Sequence, residues 1–198
     1  MLNQYRMDRM ETIMSRPYNV LLLLAVLVSL TGCGGAFKTG ESWDPKESRM
    51  FDDGVDLLQD ISKLSGEWEY QAEQELEARA HLSDMVAIVN VLAVQTNEDL
   101  EGIESKKIEA RIDDIIYGDA PGNDLALKSS ANSLGYSLIL RHEQHLVGKH
   151  IVFMRWFTQD DKSLGHHFHL SPASGKLEKK IRKLLEARKK EEDIQNVK

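Results

Sequence analysis

An apolar run close to the amino terminus of this 198-residue chain limits how the chain can fold. Residues 20–30 are almost entirely aliphatic, and three arginines, Arg6, Arg9 and Arg16, precede them. A helix that crosses a bilayer needs about 20 apolar residues, so this run is too short to span a membrane. A basic region followed by a short apolar segment is typical of a cleaved secretory signal. The alternative is a buried apolar helix that ends in a glycine turn.

The apolar run ends at residues 30–33 in the sequence L-T-G-C, which contains the only cysteine of the chain. An apolar residue, two small residues and a cysteine at this place resemble the lipobox of bacterial lipoproteins. The resemblance implies that residues 1–32 are a lipoprotein signal peptide and that Cys33 is acylated, with a diacylglycerol on its sulfur. Gly34, and not aspartate, follows the cysteine. In enteric-type bacteria this implies an exported protein on the outer membrane, facing the periplasm.

The single cysteine and the negative charge of the chain limit which bonds and partners are expected. Acylation would consume the single cysteine, so no disulfide can form within the mature chain. The formal net charge is −7, and we expect no nucleic-acid partner because such binding needs clustered positive charge. The expected partners are the membrane, through acylated Cys33, and another protein of the cell envelope.

The rest of the sequence divides into a linker and one folded domain. Residues 33–46 are polar, contain glycine and show no periodicity, which predicts a flexible tether. Residues 47–198 predict a single α+β domain. Its helices are expected at about 47–81 and 174–192, on either side of a β core at about 84–171.

Between about 47 and 81, apolar residues recur every three or four positions, which is the spacing of an amphipathic helix. Gly66 interrupts the pattern, so the segment predicts one or two helices with an apolar stripe and an acidic, solvated face. The stripe consists of Met50, Leu57, Leu58, Ile61, Leu64, Trp68, Ala72 and Leu76.

The central region has the pattern of β-strands. Residues 85–94 are nearly all apolar and rich in β-branched side chains, which predicts a central strand buried on both faces, although a buried helix has the same appearance. Residues 107–117 alternate until Asp113-Asp114 shifts the phase, which predicts a β-bulge. Further apolar runs bring the expected number of strands to five or six, at 125–128, 136–140, 151–157 and 164–170.

This order of elements predicts an α+β fold with N-terminal amphipathic helices, a small antiparallel curled sheet or OB-like barrel, and a C-terminal helix. Residues 85–157 resemble the small OB-like or netrin-like barrels of secreted proteins. Such barrels bind many kinds of ligand and some are only scaffolds, so the resemblance implies a fold and no particular function.

The last predicted helix is strongly basic, with eight lysines or arginines among residues 176–190. Its apolar stripe is Leu177, Ile181, Leu184 and Leu185. Three arrangements remain open. The stripe packs on the β core, the basic face lies on anionic lipid, or the helix docks against the acidic N-terminal helices.

Six of the seven histidines lie between residues 142 and 169. His167 and His169 would face the same side of a strand, and His142 and His145 would share one helical turn. Such imidazole pairs suit zinc or copper, so these four histidines are the candidate metal ligands. Nothing in the sequence has the CxxC or HExxH spacing of common zinc sites. The alternatives are ordinary polar positions on a half-exposed hairpin and a pH response of the cluster.

The sequence contains no recognisable catalytic motif. It has no GxSxG or Ser-x-x-Lys motif, and the glycine and lysine at 175–176 lack the other residues of a phosphate-binding loop. The adjacent carboxylates Asp113-Asp114 and Asp160-Asp161 would point to opposite faces of a strand, so neither pair forms an acid/base couple. They are expected to be turn or bulge residues.

These observations predict a lipid-anchored protein of the cell envelope with a non-enzymatic structural or interaction role. One alternative is a periplasmic lipoprotein that binds or senses metal through the histidines of residues 142–169. Another alternative is a hydrolase whose site the sequence does not reveal. No cofactor other than zinc or copper is expected.

Overall fold

Residues 43–57 and 63–196 are described by a computed structural model. The predicted signal peptide, Cys33 and the first part of the predicted tether lie outside these residues. Residues 58–62 of the predicted N-terminal helices also lie outside them.

Within the described residues, six strands form one sheet. They are β1 (Gly54–Val55), β2 (Met85–Glu98), β3 (Glu104–Tyr117), β4 (Asp124–Ser130), β5 (Gly148–Thr158) and β6 (Leu164–Pro172). Their order in the sheet is β1-β6-β5-β2-β3-β4. β1 runs parallel to β6, and every other neighbouring pair is antiparallel. The sheet curls into a half-barrel, so the predicted α+β class and curled sheet are confirmed.

In the same part of the chain, three α-helices accompany the sheet, α1 (Glu67–Leu82), α2 (Tyr136–His142) and α3 (Gly175–Asn196). Two short 3-10 turns, Pro45–Arg49 and Glu143–His145, precede β1 and follow α2. None of the helices in the described ranges is long and apolar enough to cross a membrane.

Each face of the sheet carries its own apolar core, and this explains the long apolar run of β2. Met85, Ala87 and Val89 share a core with Ile139 of α2, on what we call the α2 face. Val86 belongs to the opposite core, on the α1/α3 face. The buried residues there are Phe51, Leu76, Ala80, Val86, Ile151, Phe153, Leu177, Ile181 and Leu185. The prediction of a central strand buried on both faces is confirmed for its first part, since successive side chains of a strand point to opposite sides. The predicted burial ends before Leu92, which is 46% exposed.

β3 contains the predicted bulge. Asp114 and Ile112 face successive residues of β2, so Asp113 is the extra residue. Asp113 pairs with Lys149 at 3.1 Å, and Asp114 pairs with Arg182 at 2.5 Å. The two carboxylates therefore pair with basic side chains of different elements, β5 and α3, and do not form an acid/base couple.

The prediction of helix between residues 47 and 57 is wrong. After the turn at Pro45–Arg49, residues 50–57 form a segment that we call the strap, which contains the two-residue strand β1. Phe51 is buried on the α1/α3 face and Val55 on the α2 face, so the strap passes around the edge of the sheet beside β6. An amphipathic helix cannot do this, because its apolar residues stay on one side.

Two further predictions need correction. The apolar run at 136–140 forms helix α2 and not a strand, and only Ile139 within it is fully buried. In α1, Trp68 is 71% exposed although it continues the predicted apolar stripe, whereas Leu76 and Ala80 are buried. Periodicity locates such a helix, but packing decides which of its turns touches the core.

The basic helix α3 packs on the sheet, which is one of the three predicted arrangements. Leu177, Ile181 and Leu185 are buried on the α1/α3 face. The same helix also meets α1, where Lys180 forms an ion pair with Glu73. Packing on the β core and docking against an acidic helix therefore occur together, because α1 and α3 lie side by side over one core.

Candidate functional site, a histidine–carboxylate network beside a cleft

The strap holds three carboxylates against β6. Asp53 N donates to Phe168 O at 2.9 Å, and Asp56 N donates to Leu170 O at 2.8 Å, which aligns the strap along the strand. The aspartates at positions 52, 53 and 56 therefore lie next to the histidines of β6.

His169 is buried between two of these carboxylates. Its Nδ1 lies 2.7 Å from Asp52 Oδ1, and its Nε2 lies 3.0 Å from Asp56 Oδ1. Burial and the neighbouring Arg79 lower the pKa of His169, but the two aspartates raise it by more, so the net pKa is above the ordinary value. The site thus stabilises the imidazolium, the form with a proton on each ring nitrogen.

Asp56 links His169 to two further groups. Ser171 Oγ donates to Asp56 Oδ2 at 2.6 Å, and Arg79 Nη1 lies 3.4 Å from the same oxygen. Burial raises the pKa of Asp56, but His169, Arg79 and Ser171 lower it by more, so this pKa lies well below its usual range. Arg79 Nε also donates to Met50 O at 2.9 Å. The network therefore holds the strap near both of its ends.

Asp53 forms a second couple, with His167. The buried Asp53 carboxylate places Oδ2 2.9 Å from His167 Nδ1 and accepts a hydrogen bond from Ser133 Oγ at 3.0 Å. Phe168 N donates to its other oxygen at 3.2 Å. A serine hydrolase needs the hydroxyl beside the imidazole, but here the hydroxyl is bonded to the carboxylate. These three side chains therefore fasten the strap and do not form a chain from nucleophile to base.

Two aromatic rings enclose His167. Its ring stacks on Phe157, with centroids 5.0 Å apart and an interplanar angle of 15°, and the Trp43 centroid lies 4.2 Å away. The tether predicted at residues 33–46 therefore extends too far, because Trp43 packs on the domain and a 3-10 turn begins at Pro45. The large indole surface gains contact here that a solvated linker would not give it.

A cleft of about 440 Å³ lies at the other end of β5 and β6. Leu57 and Val147 contribute apolar side chains to it, and both are more than a third exposed. Its titratable lining residues are Asp56, His142, His145, Lys149 and His150. Because Asp56 also pairs with His169, the cleft borders the ion-pair network directly.

His150 is the buried histidine of this cleft, with 5% of its surface exposed. Its Nδ1 lies 3.2 Å from the carbonyl oxygen of Gly148, as a donor would. Burial lowers the pKa of His150, against the opposite effect of that hydrogen bond. A neutral imidazole that donates through Nδ1 keeps its lone pair on Nε2, and in this form histidine binds metals.

The H-E-Q-H sequence at residues 142–145 is held in place by its glutamate. Glu143 Oε2 lies 2.7 Å from Nζ of Lys106, a lysine of β3 that is only 4% exposed. The same ammonium donates to Thr96 Oγ1 at 2.6 Å. This ion pair ties the end of α2 to the sheet, so Glu143 positions the two histidines beside it.

The four predicted metal ligands do not form one site. His142 and His145 line the cleft, whereas His167 and His169 pair with aspartates of the strap. Within residues 43–57 and 63–196, no three histidine, cysteine or carboxylate side chains are placed to hold a metal ion. The structure instead adds His150 to the two histidines of the cleft.

The aspartates of the strap and Arg79 are not among the site residues that the sequence predicts. The one local signal is the triplet Asp52-Asp53-Gly54, which favours a turn inside the presumed helix. Nothing in the sequence indicates its partners, because the histidines that meet Asp52 and Asp53 lie 117 and 114 positions later.

The site therefore combines a buried ionic clasp on the strap with a histidine-lined cleft next to it. Comparison with models of known families, with curated proteins and with solved structures found no match to this chain.

Proposed function

We propose that the protein is a lipid-anchored component of the bacterial cell envelope, attached through acylated Cys33, with a non-enzymatic interaction role. The observation that carries this proposal is the way the chain enters the domain. Trp43 packs on His167, and the strap that follows is clasped at the buried His169. A force on the lipid anchor would be transmitted to the domain through Trp43 and the strap. Buried contacts hold this segment to the sheet.

The position of the cleft supports an interaction role. The stretch of ten residues from Cys33 to Trp43 could reach at most about 36 Å if it were fully extended. Trp43 lies beside Phe157 near the end of β5, whereas His150 of the cleft lies near its beginning, about 24 Å away along the strand. The cleft is thus far from the point where the chain enters, and in an anchored protein it stays accessible to a periplasmic partner.

Labelling of growing cells with palmitate tests the anchor. The wild type should incorporate the label and sediment with the membranes, whereas Cys33→Ser should do neither. Thr31→Ser keeps a small residue in the lipobox and serves as the control that retains the label. Labelled Cys33→Ser protein, or an unlabelled wild type, would contradict the proposal.

A photo-crosslinking residue at Val147, on the cleft, tests for a partner. In intact cells we expect a defined adduct with one envelope protein, and we expect none from the same residue placed at Trp68, which is exposed on α1. The yield of this adduct should fall when His150→Ala alters the wall of the cleft. Equal adducts from both positions, or none from Val147, would argue against the cleft as the contact surface.

A second candidate function, metal binding, is favoured by the three histidines that share the cleft. The described arrangement does not hold a metal as it stands, so binding would require rotation of the exposed His145. Titration of the full chain with zinc or copper tests this candidate. Micromolar affinity that is lost in His150→Ala and retained in His81→Ala would support it, and no binding in the wild type would exclude it.

The curled half-barrel is compatible with the proposed likeness to small OB-like barrels. Such barrels serve many functions, so the likeness names no ligand for this cleft.

A further inference from the structure

Among the described residues, the outer backbone edge of strand β4 has no partner strand. Ile112 N donates to Asn123 O, and Ala131 N donates to Glu104 O, so the odd-numbered residues of β4 bond to β3. The backbone groups of the even-numbered residues therefore point away from the sheet. Those of Asp124, Ala126 and Lys128 have no hydrogen-bond partner among the described residues.

The opposite edge of the sheet is protected, and this makes the β4 edge distinctive. Along β6, the strap forms backbone hydrogen bonds to Phe168 and Leu170, and the strand ends at Pro172. β4 has neither a proline nor a bulge, and its register with β3 is continuous over all seven residues. An open, regular edge of this kind is a template for another strand.

The side chains along this edge are complementary to themselves. Asp124, Ala126 and Lys128 are exposed, in an alternating pattern. In an antiparallel pairing centred on Ala126, Asp124 of one copy faces Lys128 of the other, and the same pair repeats across the two-fold axis. Opposite charges placed directly across two strands stabilise the pairing.

Lys128 is exposed and lies opposite a like charge within its own sheet. Its register partner on β3 is Lys107, and like charges directly across two strands are unfavourable. Lys107 has Glu109 at 2.8 Å, whereas Lys128 has no ion pair in the part of the chain that the structure describes. A second copy would place its Asp124, which within its own chain lies 3.5 Å from Arg111, on the open side of Lys128.

We propose that two copies of this chain associate by pairing their β4 strands antiparallel, with Ala126 facing Ala126 on a two-fold axis. About six backbone hydrogen bonds would then join residues 124, 126 and 128 of the two copies. The contact uses the same surface on both copies, as a closed dimer requires. This dimer does not depend on the lipid anchor or on the cleft.

A cysteine placed on the axis tests the pairing. In a hydrogen-bonded antiparallel pair the two Cα atoms lie about 5.5 Å apart and the Cβ atoms are farther apart than in a relaxed disulfide, so a short bifunctional maleimide is used to join the two thiols. Treatment of intact cells that express Ala126→Cys in the full chain with this cross-linker should yield a covalent dimer. Wild type, which has only Cys33, and Ala187→Cys, on the exposed side of α3, should yield none. The dimer should also form in a Cys33→Ser background, which separates this result from failure of the anchor.

A charge exchange tests the register. In the Ala126→Cys background, Asp124→Lys alone and Lys128→Asp alone should each lower the yield of dimer about fivefold or more, because both symmetric pairs become repulsive. The double variant restores opposite charges and should restore the yield. Melting temperatures close to that of the parent establish that each variant folds. No dimer from Ala126→Cys, or single variants that dimerise as well as the double variant, would overturn the proposal.

Discussion

Gly54 of the strap and Gly135, the residue before α2, lie with their backbones in direct contact. A Cβ on Gly54 would lie 2.7 Å from Gly135 Cα, and a Cβ on Gly135 would lie 2.6 Å from Gly54 N. At the same point, Gly135 N donates to Asp52 O at 2.8 Å. The lack of side chains at these two positions allows the strap to lie between β6 and the start of α2.

Gly135→Ala should lower the free energy of unfolding by about 2 kcal/mol or more, because the added methyl group meets rigid backbone. Urea unfolding of the wild type and the variant measures this change. Gly122→Ala is the matched control, since a Cβ there has nothing within 4 Å, and it should change stability by less than about 0.5 kcal/mol. Equal losses in the two variants would contradict the contact.

His169 should make the fold less stable as the pH rises. Its pKa in the folded protein is raised above the ordinary value of 6.5, so its contribution is fully present below about pH 6.5 and is lost as the pH rises through the raised pKa. Asp56 acts at the acidic end. Its folded pKa is lowered, so its contribution is present above about pH 4 and is lost as the pH falls.

The measurement compares the free energy of unfolding of the wild type and His169→Asn from pH 5 to pH 9. The difference should be largest at the acidic end and shrink toward pH 9. The two proteins are compared because the wild type alone would not isolate His169. Burial lowers the pKa of His150 and of His166, so these two histidines make the fold more stable as the pH rises. His81→Asn, at an exposed site, should show a flat difference. A flat difference for His169→Asn too would refute the ionic clasp.

Asp53→Asn should destabilise the protein by about 1–3 kcal/mol, because a buried carboxylate that accepts three hydrogen bonds becomes a neutral amide. Asp53 has a φ of 54°, a conformation that asparagine also tolerates, so backbone strain does not confuse the result. Thermal unfolding measures the change. Asp160→Asn, at an exposed position, is the control and should be near neutral. A near-neutral Asp53→Asn would show that the clasp at His167 contributes nothing.

Glu143→Gln should lower the free energy of unfolding by about 2 kcal/mol or more, because it leaves the buried ammonium of Lys106 without its closest carboxylate. Lys106→Met removes the buried charge itself and should lower the free energy of unfolding by less than Glu143→Gln does. The double variant should be no less stable than Glu143→Gln alone, and urea unfolding of the three variants measures this coupling. Additive losses would show that the two residues act independently.

Local patterns in the sequence were sufficient for several elements. The apolar, β-branched run at 85–94, the phase shift at Asp113 and the hairpin of β5 and β6 all follow from alternation along a strand. The basic helix near the carboxyl end follows from helical spacing in the same way. These predictions succeeded because each depends on residues within a few positions of one another.

The strap could not be predicted in this way. Its apolar residues happen to match helical spacing, yet Phe51 and Val55 enter different cores on the two faces of the sheet. The run at 136–140 is also too short for its period to separate strand from helix. Both outcomes depend on which sheet edge and which core lie nearby, and that information is distributed over the whole chain.

The candidate site shows the same division. The histidine cluster and the L-T-G-C sequence are visible in the sequence, and they suggest histidine chemistry and a lipid anchor. Only the tertiary structure separates His142 and His145, on the cleft, from His167 and His169, which belong to the clasp. The physical reason is that an imidazole's role depends on its neighbours in space. For His169 those neighbours are two aspartates more than 110 positions earlier, brought to it by the strap.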